Sequence, residues 1–148
     1  MTSGIIHIIN GPNLNKLGQR EPDIYGHTTL ADIEALCTAH AATHNFTTHF
    51  TQSNEEGALI TALQEAGDSA AGLILNGGAY THTSVALYDA LKMVTIPSVE
   101  VHLSNIFARE PFRHHSYISP AVLGVICGFG AMGYTMAIDA LRQAIKEE

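Results

Sequence analysis

Short apolar runs alternate with longer segments of helical periodicity along this chain, and that alternation limits the fold more than any other feature. The runs cover residues 5–9, 71–75, 96–103 and 122–127, and residues 46–52, FTTHFTQ, alternate as a further strand. Between them, residues 30–44, the segment holding Leu59, Ile60 and Leu63, residues 85–93 and residues 131–146 space apolar side chains three or four apart. Runs as continuous as Ile5, Ile6, Ile8 and Ile9 suit strands buried on both faces, which is how parallel strands lie when helices cover a sheet from both sides. Strand then helix, repeated, predicts an α/β chain with a doubly wound five-stranded parallel sheet, in one domain across residues 1–148.

Local signals support the punctuation. Thr29 can cap the first helix, with Asp32 at its positive end, and Ile33, Leu36, Cys37, His40 and Ala41 form its expected apolar stripe. Ser53 with Glu56 reads as a capping box for the second helix, which Gly67 is expected to end. The segment from Asn13 to Thr28 is too long for an ordinary connection and is expected to be a lid or binding loop.

Composition removes several classes of partner. A net charge of -7 with seven Lys and Arg leaves no basic footprint for nucleic acid. The apolar runs fall short of a membrane span, and the short run before His7 reads as a strand and not a leader, so a soluble cytoplasmic protein is expected. Only 14% of residues are charged against 46% hydrophobic, which favours self-association. Cys37 and Cys127 read as free thiols.

Chemistry concentrates at the ends of the apolar runs. In the fourth, Val99, Val101 and Leu103 alternate with Glu100, His102 and Ser104, so the period of two puts three polar side chains on one face. A carboxylate beside an imidazole fixes the ring's tautomer and suits an oriented general acid. Arg109 and Arg113 follow in a Pro111-interrupted loop, which sets anion-binding groups beside proton-transfer groups. The third run ends in NGGAYTHTS, where Asn76, Gly78 and His82 lie at the edge at which open α/β sheets hold ligands; Asp89, two helical turns beyond His82, is expected on its face. In the long first loop Tyr25 keeps company with Arg20 and Asn13. A free tyrosine is about 4 kcal/mol from ionisation at neutral pH, so a tyrosinate base needs cations such as Arg20 or Arg109.

Other motifs carry less. GFGAMG at residues 128–133 lacks a following strand to bring an acidic group to a ribose and reads as a tight turn. Cys37, His40 and His44 share a helix that supplies no carboxylate partner beside them, so no metal site is expected, and adjacent His114 and His115 read as structural. An electron-transfer flavin module would want Trp and a hydroxyl-rich phosphate loop; a receiver module would want acids where Asn10 and Asn76 stand.

The segments NGPNLNKLGQREPDIYG, NGGAYTHTS, EVHLSNIFAREPFRHHS and GFGAMGY occur in order over nearly the whole chain, and in them the chain resembles the type II 3-dehydroquinate dehydratases of the shikimate pathway. The resemblance implies a flavodoxin-like sheet of order 2-1-3-4-5, a homododecamer built as a tetramer of trimers, no cofactor, and anti elimination of water from 3-dehydroquinate through an enolate. It implies Tyr25 as base with Arg20 assisting, Asn13 holding a water at the enolate oxygen, and His102 as acid oriented by Glu100. Asn76, His82, Leu103, Ser104 and Arg113 would bind substrate, Arg109 and Gly78 would support them, and Asp89 would reach a neighbouring subunit's site. Gly77 stands where the family more commonly carries Ala, a change that removes no functional group.

Overall fold

The computed structural model of the chain describes residues 3–19, 23 and 26–147. Its elements run β1 (Ile5–Asn10), α1 (Leu30–Thr43), β2 (Thr47–Gln52), α2 (Glu56–Ser69), β3 (Gly72–Asn76), α3 (Val85–Lys92), β4 (Ser98–His102), β5 (Gly124–Cys127) and α4 (Met132–Glu147). The strands form one sheet in the order β2-β1-β3-β4-β5, with every neighbouring pair parallel. The alternation of apolar runs and helical segments predicts this layering.

Alternate strand residues serve two separate cores. On one face Ile6, Ile8, Ile74, Val99 and Val101 meet Ile33, Cys37 and Ala41 of α1 and Ala137, Ile138 and Leu141 of α4. On the other, Ile9, Leu73 and Leu75 meet Leu59, Leu63 and Ala66 of α2 and Leu87, Ala90 and Leu91 of α3. A fully buried Leu or Ile contributes roughly 1.5–3 kcal/mol relative to exposure, so these layers fix which strand ends meet. Burial of Cys37 also pushes its thiol up to about 12, which makes it an inert packing group.

Several local expectations shift. Thr29 and Asp32 do form a reciprocal cap at α1. Ser53 instead accepts from the Glu55 backbone N–H at 3.0 Å, and α2 begins without a side-chain cap. Gly67 lies inside α2, which continues to Ser69, because one glycine costs only about 1 kcal/mol in a helix interior. Leu36 is exposed and the α1 stripe narrows to Ile33, Cys37 and Ala41. β4 starts at Ser98 because Pro97 has no N–H to donate, although its carbonyl still accepts from Leu73. Ser104 falls beyond the strand, in the bend that follows Leu103.

The register brings Asn10 of β1 level with Gln52 of β2 and Asn76 of β3, so three amides crowd the carboxyl edge of the sheet. The loops leaving β1 and β3 then touch. A Cβ on Gly11 would fall 2.4 Å from the Gly77 carbonyl oxygen, and Gly78, at φ 56°, packs against Pro12 in a conformation that favours glycine.

Candidate active site

A cavity opens where these loops leave the sheet. Its walls come from Pro12, Asn13 and Leu14 after β1, from Asn76, Gly78, Ala79 and His82 after β3, and from His102, Leu103, Ser104, Ile106, Arg109 and Arg113 at and after β4. Strand ends supply rigid attachment and short 3-10 turns supply the change of direction: Leu14–Lys16, Gly78–His82, Ile106–Ala108 and Pro111–Arg113. Ten residues singled out from sequence come together here or directly behind the wall: Asn13, Asn76, Gly78, His82, Glu100, His102, Leu103, Ser104, Arg109 and Arg113. Tyr25 and Arg20 lie outside the described residues. Asp89 is exposed on α3 and does not line the cavity; His82 belongs to the preceding 3-10 turn, so helical spacing does not relate the two.

Glu100 is completely buried, and its carboxylate is held from three sides. His102 meets it through Nε2, the Ser119 hydroxyl donates to Oε1, and the Ser116 hydroxyl lies 3.2 Å from both oxygens. Ser116 is itself fixed by accepting from the backbone N–H groups of Ile118 and Ser119. A buried carboxylate is tolerable only when paired and hydrogen-bonded in this way. With Nε2 engaged, Nδ1 is the nitrogen of His102 left for a ligand, so the pair can present one oriented imidazole to the cavity.

His82 stacks on His102 with ring centroids 6.2 Å apart and an interplanar angle of 21°. Its Nδ1–H donates to the His115 carbonyl at 2.8 Å, which leaves Nε2 free of that bond. Burial holds the His82 imidazole below its ordinary value; the His115 carbonyl opposes this, His102 and Arg113 reinforce it, and Glu100 opposes it again. A neutral His82 offers Nε2 as an acceptor for a hydroxyl.

Also lining the cavity, Arg109 reaches the Ser104 hydroxyl at 3.4 Å, and Arg113 donates through Nε to Glu110 at 3.0 Å. Glu110 also lies 3.7 Å from Arg109. The Glu110 carboxyl is held below its usual range by its own backbone N–H and then by Arg113. Two guanidiniums on the cavity wall share the exposed Glu110 carboxylate, and groups of this kind suit an anion.

Behind the wall, Tyr134 joins two of the crowded amides. Its hydroxyl donates to Asn10 Oδ1 at 2.7 Å and accepts from Asn76 Nδ2 at 2.9 Å, while Asn76 Oδ1 accepts from the Gly78 backbone N–H. Burial pushes the Tyr134 phenol up, so it remains a neutral bridge. Asn76 therefore spends most of its capacity holding the β3 loop, with one amide hydrogen left for the cavity. Sequence spacing shows neither Tyr134 nor the two serines, because their contacts span 58, 124, 16 and 19 residues. His40 and His44 acquire a carboxylate partner from another helix, since Asp139 of α4 meets both.

A family model described as dehydroquinase class II matches residues 4–142. The chain is 62% identical over 139 residues to the 3-dehydroquinate dehydratase of Azorhizobium caulinodans, covering 94% of each chain. It is 58% identical over 140 residues to 3-dehydroquinate dehydratase 1 of Agrobacterium fabrum, covering 95% of this chain and 97% of that one. The crystal structure of the type II dehydroquinase from Propionibacterium acnes superposes with a TM-score of 0.91 at 38% identity, over 96% of this chain and 98% of that chain.

Proposed function

The chain belongs to the class II dehydroquinase family and acts as a 3-dehydroquinate dehydratase, a hydro-lyase of the shikimate pathway, and from that premise we propose how its cavity divides the work. The substrate is 3-dehydroquinate and the route is anti elimination through an enolate. Tyr25, as tyrosinate, removes the C2 proton, and the guanidiniums of Arg20 and Arg109 favour the ionised phenol. Charge develops on the ketone oxygen, where a water held by Asn13 donates. His102 gives its proton to the C1 hydroxyl, which leaves as water while the enolate collapses to the conjugated enone. Tyr25 ends protonated and His102 neutral, so one proton passes between them through solvent before the next turnover.

Binding roles follow from charge and tautomer. Arg113, with Arg109 and the Ser104 hydroxyl behind it, receives the substrate carboxylate, and the backbone N–H groups of Leu103 and Ser104 complete that pocket. Neutral His82 and the remaining amide hydrogen of Asn76 take ring hydroxyls. Residues 1–148 act as one catalytic unit without a cofactor. The assembly is a homododecamer, four trimers in which Asp89 from one subunit reaches its neighbour's site, acting in the cytoplasm.

The buried Glu100 carboxylate anchoring His102 at the cavity wall is the observation that carries this reading. The direct test incubates EDTA-treated protein with 3-dehydroquinate and follows the enone absorbance. Tyr25→Phe is expected to abolish exchange of the C2 hydrogen with solvent in a folded protein. Exchange at the unmodified rate would remove Tyr25 as the base.

A further inference from the structure

Away from the cavity, α1 and α4 lie side by side on one face of the sheet, joined by Ile33, Cys37 and Ala41 against Ala137, Ile138 and Leu141. Three ligand-type side chains project from the rim of this contact. His40 and His44 are one helical turn apart, so their imidazoles share a face, and Asp139 reaches them from the opposing helix. Asp139 Oδ1 is 2.8 Å from His40 Nε2 and 3.1 Å from His44 Nε2, and the three ligand atoms lie within 4.8 Å of one another. From this convergence we propose that His40, His44 and Asp139 form a site for a divalent transition metal, with zinc as the best-fitting ion.

The donor set supports the assignment. Two imidazole nitrogens and one carboxylate oxygen match the ligand types zinc accepts, with metal–ligand distances of about 2.0–2.2 Å. Tetrahedral ligands at such distances stand about 3.3 Å apart by simple geometry, close to the spacings from Asp139 to each ring. Solvent reaches all three side chains, which are 30%, 23% and 57% exposed, so water can complete the coordination shell. The carboxyl of Asp139 is ionised in the neutral range: burial raises it, but the hydrogen bonds and charge of His40 and His44 outweigh burial and hold it below its usual value. The backbone beneath is preset, because Ala41 and Ile138, next to these ligands in sequence, are fully buried.

Binding exchanges protons for metal. In the metal-free arrangement one carboxylate oxygen accepts from both Nε2 atoms, whereas a metal needs a lone pair on each. Any proton on Nε2 must therefore leave or move to Nδ1 when the metal binds. None of the three residues lines the catalytic cavity, and His40 lies in the last turn of α1, which runs toward the amino ends of the strands. The metal would be a clasp between α1 and α4, without a part in the elimination.

The test titrates zinc chloride into the full-length, EDTA-stripped and dialysed protein at pH 7.5, followed by calorimetry and thermal melting. One ion per chain, a micromolar or tighter Kd and a higher Tm are expected. His44→Ala and Asp139→Asn should each weaken binding at least tenfold and remove the Tm gain, with dehydratase turnover unchanged in both. Cobalt substitution should give the intense visible bands of a four-coordinate ion, lost in the same variants. Millimolar affinity, or tight binding undiminished in both variants, overturns the proposal. The catalytic reading is judged separately, by enone formation in EDTA.

Discussion

His102 and His7 are equally buried, each 5% exposed on a strand inside the same sheet, and the fold surrounds them in opposite ways. His102 points Nε2 at a carboxylate that two serines hold in place. His7 faces another imidazole, His49, with ring centroids 4.4 Å apart, and its Nε2 lies 3.4 Å from the Thr51 hydroxyl. Burial and then the neighbouring His49 charge push His7 down to about 4, so it stays neutral through the physiological range. Burial alone does not make a histidine a proton carrier. In the proposed mechanism an anionic partner and an open wall give His102 that role, and of these two only His102 lines the active-site cavity.

The comparison breaks most directly at His102. His102→Ala is expected to lower kcat by roughly 10²–10⁴ with little change in KM, because proton delivery matters in the transition state more than in binding. A large rise in KM with intact kcat would make His102 a binding group. Glu100→Gln probes the partner alone. The amide keeps the shape but removes the charge, and an N–H aimed at Nε2 would impose the other ring tautomer; a loss of about ten- to a hundredfold in kcat is expected. Turnover within twofold of the original would show that the carboxylate is not what separates the two histidines.

Tyr134 supplies a smaller and differently distributed effect. Tyr134→Phe leaves Asn10 Oδ1 short of a donor and Asn76 Nδ2 short of an acceptor in a dry interior, so a loss of about 2–4 kcal/mol in denaturant-derived stability is expected. With the Asn76 and Gly78 loop less firmly held, kcat should fall by only a few-fold. An unchanged denaturation midpoint would mean that the amides find other partners.

These three residues also mark how far the sequence reaches. Alternation along β4 exposes Glu100 and His102 to inspection because strand periodicity is local, and the same locality reveals the strand-helix order and the polar ends at Asn13, Asn76 and His82. Parallel pairing, and the burial of β1, β3 and β4 on both faces, follow from apolar runs too continuous for a half-exposed sheet. Ser116, Ser119 and Tyr134 are silent, since their partners arrive from other elements after folding. Asp139 is silent for the same reason: an isolated α1 shows two histidines without a third ligand, and only the packing of α4 supplies it. The capping pattern at Ser53 fails the other way, as a local signal spent on a turn one residue before the helix begins.

His7 offers the mildest test, and it concerns stability and not turnover. Its folded value near 4 lies below the unfolded value near 6.5, so between those limits the unfolded chain binds more protons. Stability is therefore lost as pH falls from about 6.5 to about 4, and His7 adds no further slope below that. The full contribution is about 3 kcal/mol. Paired carboxylates such as Asp32 and Asp139 also lose stability in acid, so the informative quantity is the difference between two proteins measured together. His7→Leu should match the unmodified chain within about 1 kcal/mol at pH 7.5, since Thr51 is only half-buried and water can replace the lost partner. By pH 4.5 the variant should be the more stable of the two, with turnover at neutral pH unchanged. Parallel stability curves over that range would mean that His7 is protonated as readily inside the fold as outside it, and the contrast with His102 would then rest on the cavity alone.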